Sequence, residues 1–157
     1  MTSDTNRPSG LWFEEFEPGQ TITHPIRRTI TEFDNVSFTT MTMNPAAVHL
    51  DAAYAATTEF KEPLVNSMLT VALLVGLSVH NTTMGTTIAN LGFETVNFPH
   101  PVFAGDTIRG ETEIVEVRAS KSRPAAGIVK MQHRAYNQSD ELVCVAIRSA
   151  LMHRKPD

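Results

Sequence analysis

The chain has 157 residues, 41% hydrophobic and 19% charged, ordinary globular usage that fits one domain with one core and excludes disorder or a collagen-like repeat. Thirteen Lys and Arg against 17 Asp and Glu give a net charge of −4. A chain whose main partner is nucleic acid or an anionic membrane carries a basic excess instead. Cys144 is the only cysteine, which excludes an internal disulfide framework and a multi-cysteine zinc site.

Residues 1–10 are polar and turn-rich; they read as a disordered tail with no apolar signal segment, and one domain is expected over 11–157. β-branched residues over 22–30 predict a strand, with Pro25 placing it at an edge or bulge. Thr31 with Asp34 three residues on has the form of a helix start, so a short helix or two is expected over 32–42 with Phe33 and Val36 as apolar contacts. Asn44-Pro45 ends it, because proline disfavours helical geometry in the residue before it. Asp51 is an N-cap for an alanine-rich helix over 52–58.

The strongest helix signal runs over about 66–79, where Asn66 or Ser67 is the cap and apolar residues cover every face, the pattern of a buried helix. Its apolar run of about a dozen residues is too short for a membrane span, which needs roughly 20. A soluble cytoplasmic protein is expected. After Gly85 the chain predicts strands over 87–97, 107–118, 127–137 and 141–152. The third alternates Val129, Met131, His133 and Ala135 with polar residues, and Asn137 to Asp140 turns it into the fourth. The expected fold class is α+β: a curved antiparallel sheet of about five strands wrapped around one buried helix. Such a sheet leaves edges open, so a homodimer or a higher assembly of dimers is expected.

His49 and Asp51 stand two apart between a helix breaker and an N-cap, where a histidine with an ordinary pKa near 6.5 can serve as a general base. Its alternative is to pack its loop while Asp51 caps the helix. The segments Asn44-Pro45-Ala46-Ala47-Val48-His49-Leu50-Asp51, Pro63-Leu64-Val65-Asn66-Ser67-Met68-Leu69 and Phe98-Pro99-His100-Pro101-Val102-Phe103-Ala104-Gly105-Asp106-Thr107 together resemble the MaoC-like (R)-specific enoyl-CoA hydratases of the hotdog fold. The resemblance spans roughly 12–153.

It implies an acyl-CoA substrate, no cofactor, and addition or removal of water at the conjugated double bond. His49 matches the family's catalytic histidine. Five residues before it the family carries an aspartate; here that position holds Asn44, which can orient a water but cannot take its proton, or, if the Asn-Pro pairs are aligned instead, Thr42, and neither is an acid. Ser67, next to Asn66, matches the glycine whose backbone N–H holds the thioester oxygen, and the start of a helix suits that developing charge. Val65-Asn66-Ser67-Met68 and Ala89-Asn90-Leu91-Gly92-Phe93-Glu94 look closest to the branch acting on short branched dicarboxylyl thioesters such as mesaconyl- and itaconyl-CoA.

Arg118, Lys121 and Arg123 cluster between two strands and are candidates for CoA phosphates or a substrate carboxylate. His24, His80, His100, His133 and His153 show no ligand spacing, so no metal is expected; His133 reads as a satisfied core histidine and Cys144 as a small buried hydrophobe. Two alternatives stay open: a hotdog thioesterase, which the absence of an acid between Ser67 and His80 disfavours, and a non-catalytic acyl-CoA-binding module.

Overall fold

The computed structural model describes residues 8–156, so most of the expected tail lies outside the described residues. Gly10 and Leu11 already donate to the Met84 and Thr82 carbonyls. Proline cannot donate to a ladder, and Pro25 divides the strand expected over 22–30 into β1 (Thr21–Thr23) and β2 (Arg28–Thr29). Then follow α1 (Glu32–Met41), α2 (Ala47–Leu50), α3 (Ala52–Thr57) and α4 (Ser67–Val79). The chain finishes with β3 (Thr87–Asn97), β4 (Thr107–Ala119), β5 (Ala126–Tyr136) and β6 (Leu142–His153). The six strands form one antiparallel sheet in the order β1-β4-β5-β6-β3, with β2 also on β4.

The capping residues work as the sequence implies. Thr31 and Asp34 close a capping box on α1, and the Asp51 carboxylate accepts the Tyr54 N–H at 2.9 Å. α1 nevertheless faces the other way from expectation. Phe33 is 78% exposed and Val36 is also exposed, while Asn35 and Thr39 are buried. The inward face is polar because it meets backbone groups of irregular segments, which need side-chain partners.

α4 packs on β4, β5 and β6, burying Val71, Leu74 and Leu77 with Ile108, Ala135, Cys144 and Ala146. It is not covered on every side, because one sheet covers one face. Met68, Ala72 and Gly76, at i, i+4 and i+8, form an open stripe, and most of β3 is exposed. A second apolar cluster at the far end of the sheet joins Phe13 and Phe16 to Ile114, Val129, Met131 and Met152. The Phe13 ring occupies the space a Cβ on Gly127 would need. Gly127→Ala is therefore expected to destabilise the fold by about 1–3 kcal/mol, read from urea unfolding.

Between the two clusters lies a buried polar layer. Arg148 Nε donates to His133 Nε2 at 2.9 Å, and His133 Nδ1 meets Thr112 Oγ1 at 2.7 Å. Thr112 Oγ1 meets His24 Nε2 at 2.6 Å, and His24 Nδ1 meets Asn81 Oδ1 at 2.7 Å. A guanidinium only donates, so each later hydrogen must point the same way, from Arg148 toward Asn81, and both imidazoles are neutral. Burial, with Arg148 beside it, pushes the His133 pKa down to about 3; burial also lowers that of His24.

Candidate active site

The site lies where α1, α2 and the approach to α4 converge, and Asn35 ties them together. Its Nδ2 donates to the carbonyls of Leu64 (3.0 Å) and His49 (3.3 Å), while its Oδ1 accepts the Asn66 N–H at 2.8 Å. Asn66 Nδ2 donates to Thr39 Oγ1 at 3.3 Å, one helical turn from Asn35. Asn35 thereby holds main chain at residues 49, 64 and 66, and Thr39 holds the Asn66 side chain.

His49 sits on α2, a short helix within what the sequence presents as a loop, and is half-buried. Its Nδ1 lies 2.8 Å from the Leu64 carbonyl oxygen, which can only accept, so Nδ1 carries the hydrogen and Nε2 keeps its lone pair. An imidazole fixed in this tautomer is a general base with its orientation already set. It lines a cavity of about 230 Å³ with Glu32, Val36, Leu50 and Glu62.

At the start of α4, Asn66 Oδ1 takes the Met68 N–H at 3.0 Å, and the Ser67 N–H, at the positive end of a 13-residue helix, has no acceptor among the described residues. Ser67 lines a second cavity, of about 340 Å³, whose walls include Phe60, Leu64, Phe98 and Val102. His49 and Ser67 line separate cavities. Pro63 lines the first while Leu64 and Val65 line the second, so this segment stands between them.

Asn44 Oδ1 accepts the Ala46 N–H at 3.0 Å, closing a turn that leads into α2. The basic loop is elsewhere. β4 runs about 33 Å from Arg109 to Ala119, at 3.3 Å per residue, which puts Lys121 and Arg123 at the end of the sheet away from Ser67. Both are exposed, and Arg118 pairs with Glu116 at 3.3 Å. His133 is the satisfied core histidine expected of it, and Cys144 is buried. Among the described residues no cluster of His, Cys, Asp or Glu could hold a metal, and no helix is long and apolar enough to cross a membrane.

The model of the MaoC-like domain matches residues 14–137. The chain belongs to the MaoC-like domain family. It is 30% identical over 155 residues to the β-methylmalyl-CoA dehydratase of Chloroflexus aurantiacus, covering 99% of this chain and 43% of that protein. The R-hydratase PhaJ1 of Pseudomonas aeruginosa superposes with a TM-score of 0.74 at 32% identity, over 94% of this chain and 88% of that one. A Mycobacterium tuberculosis protein described as a double hotdog superposes with a TM-score of 0.85 at 24% identity, over 95% of this chain and 46% of that one. The fold is thus a hotdog, and this MaoC-like chain spans a little under half the length of the first and third of these proteins.

Proposed function

We propose that this MaoC-like domain adds water to, or removes it from, the conjugated double bond of a short-chain enoyl-CoA thioester. One observation carries the reading: His49 donates through Nδ1 to Leu64, leaving Nε2 as the base, and three residues after Leu64 an α-helix begins with the free N–H of Ser67. A thioester lying across the 63–65 segment would place its oxygen at the Ser67 N–H and its β-carbon toward His49.

In hydration, His49 Nε2 takes a proton from water as the oxygen bonds to the β-carbon. The π electrons move to the thioester oxygen, whose charge the Ser67 N–H and the helix terminus stabilise. The imidazolium then returns its proton to the α-carbon. Asn44 shapes the turn presenting α2, and Asn66 sets the cap beside the oxyanion donor. No step calls for a cofactor. The likeness to the Chloroflexus enzyme supports a branched dicarboxylyl substrate.

A homodimer, in the cytoplasm, completes the reading. Among the described residues β3 is paired on one side only, and the stripe of Met68, Ala72 and Gly76 is uncovered. Two copies joined antiparallel through β3 would bring Arg118, Lys121 and Arg123 of one toward the site of the other, where CoA phosphates need cations.

The test is loss of enoyl-thioester absorbance with crotonyl-, mesaconyl- and itaconyl-CoA. Turnover of at least one is expected; tight binding of all three without turnover would favour an acyl-CoA-binding module. The absence of an acid at Asn44 is what supports that second reading.

A further inference from the structure

Asn35 is only 3% exposed, and the three main-chain groups it meets all belong to the proposed chemistry. The His49 carbonyl is the main chain of the base itself. The Leu64 carbonyl anchors the His49 ring, and the Asn66 N–H stands one residue before the oxyanion donor. A primary amide has two hydrogens to give and two lone pairs to fill. In Asn35 one hydrogen goes to each carbonyl, at 3.3 and 3.0 Å. The oxygen accepts from the Asn66 N–H at 2.8 Å and, at a longer 3.5 Å, from Thr39 Oγ1. Every capacity is used, and a rotated amide would set its oxygen against two carbonyl oxygens. The side chain has one orientation.

The Leu64 carbonyl oxygen is saturated in the same way, by His49 Nδ1 at 2.8 Å and Asn35 Nδ2 at 3.0 Å. His49 is therefore tied twice to one amide, through its own carbonyl and through the Leu64 anchor of its ring. On the other side Asn66 is held by its N–H and by its side chain. Its Nδ2 donates to Thr39 Oγ1 at 3.3 Å, so that its Oδ1 takes the Met68 N–H and not that of Ser67. An apolar side chain at position 35 would leave all three main-chain groups without a partner in the interior.

We propose that Asn35 is a positioning residue: its amide sets the tautomer of His49 and the separation of that base from the Ser67 N–H. This rests on the reading of His49 as base and Ser67 as oxyanion donor. The amide touches neither water nor thioester in that reading. It acts through Leu64 and Asn66, and a misplacement of about 1 Å between reacting groups costs about 10² in rate.

Two variants and two readouts test this. Asn35→Asp keeps the shape and the acceptor for Asn66 but, ionised, has no hydrogen for the two carbonyls. Asn35→Ala removes the whole amide and opens space for a water, so it carries the test should the buried charge prevent folding. Each is expected to lower kcat for enoyl-CoA hydration by about ten- to a hundredfold, with KM within about threefold. Nitrogen-15 NMR at about pH 8.5, where an imidazole is neutral, reads the His49 ring, assigned by its loss in His49→Ala. The hydrogen should sit on Nδ1 in the unaltered protein and be shared between both nitrogens in the variants. Both tautomers in the unaltered protein, or a ring that keeps its Nδ1 hydrogen in the variants, would overturn the assignment. So would an unchanged kcat, even with a lowered melting temperature, since a merely structural residue would behave that way. A tautomer lost in the variants, without hydration of any enoyl-CoA by the unaltered protein, overturns the hydratase reading and keeps the hold of Asn35 on His49.

Discussion

His49→Ala is expected to lower kcat for enoyl-CoA hydration by about 10² to 10⁴, the usual worth of a positioned acid–base group, with KM little changed. The loss should be chemical rather than structural. The Leu64 carbonyl keeps its second donor, Asn35 Nδ2 at 3.0 Å, so the segment leading to α4 stays held and the melting temperature should move by only a few degrees. Asn66 and Ser67 are untouched, so thioester binding should persist. Steady-state kinetics with a thermal melt decide it: turnover close to that of the unaltered protein would remove His49 as the base.

The second large effect is acid destabilisation originating in the polar layer. His133 is held neutral, with a pKa of about 3 against 6.5 in the unfolded chain. Below pH 6.5 the unfolded state therefore binds a proton that the folded state refuses, and stability falls until the pH reaches about 3. From pH 7 to pH 5, His133 alone should cost about 2 kcal/mol, and His24 adds to it with the same sign. Urea titrations at the two pH values measure this directly. His133→Gln should be less stable at pH 7, since a flexible amide does not reproduce both the acceptor for Arg148 and the donor to Thr112 in the ring's geometry, yet should show a shallower loss on acidification. An equal slope in both proteins would mean that the buried imidazole is not what responds to acid.

Much of this architecture is legible in the sequence because its signals are local and periodic. α4 declares itself by an apolar run interrupted only by Thr70, Gly76 and Ser78, β5 by strict alternation, and α1 and α3 by their capping residues. Pro25 marks a bulge or edge, but splitting the strand into β1 and β2 depends on which β4 residues lie opposite. The reversal of α1 was hidden because an asparagine in a helix ordinarily reads as solvent-facing. What draws Asn35 inward is main chain near residues 49, 64 and 66, which only the fold brings together.

The same holds for the relay from Arg148 to His24. Thr112 and His133 meet by strand register, which no spacing of histidines along the chain reports. For the site, the resemblance drew attention to His49, Asn66 and Ser67. The Leu64 anchor that sets the His49 tautomer needed three dimensions. The basic loop is legible as a loop, but its distance from Ser67 depends on the length and direction of β4.

The central claim is that oxygen from water is joined to the β-carbon of a CoA thioester with His49 as base. Turnover in isotopically labelled water, followed by mass spectrometry of the products, tests it most directly. The account predicts label in the 3-hydroxyl group with the thioester intact, and none of that product from His49→Ala. Label in a free carboxylate, with CoA released, would contradict it and make the domain a thioesterase.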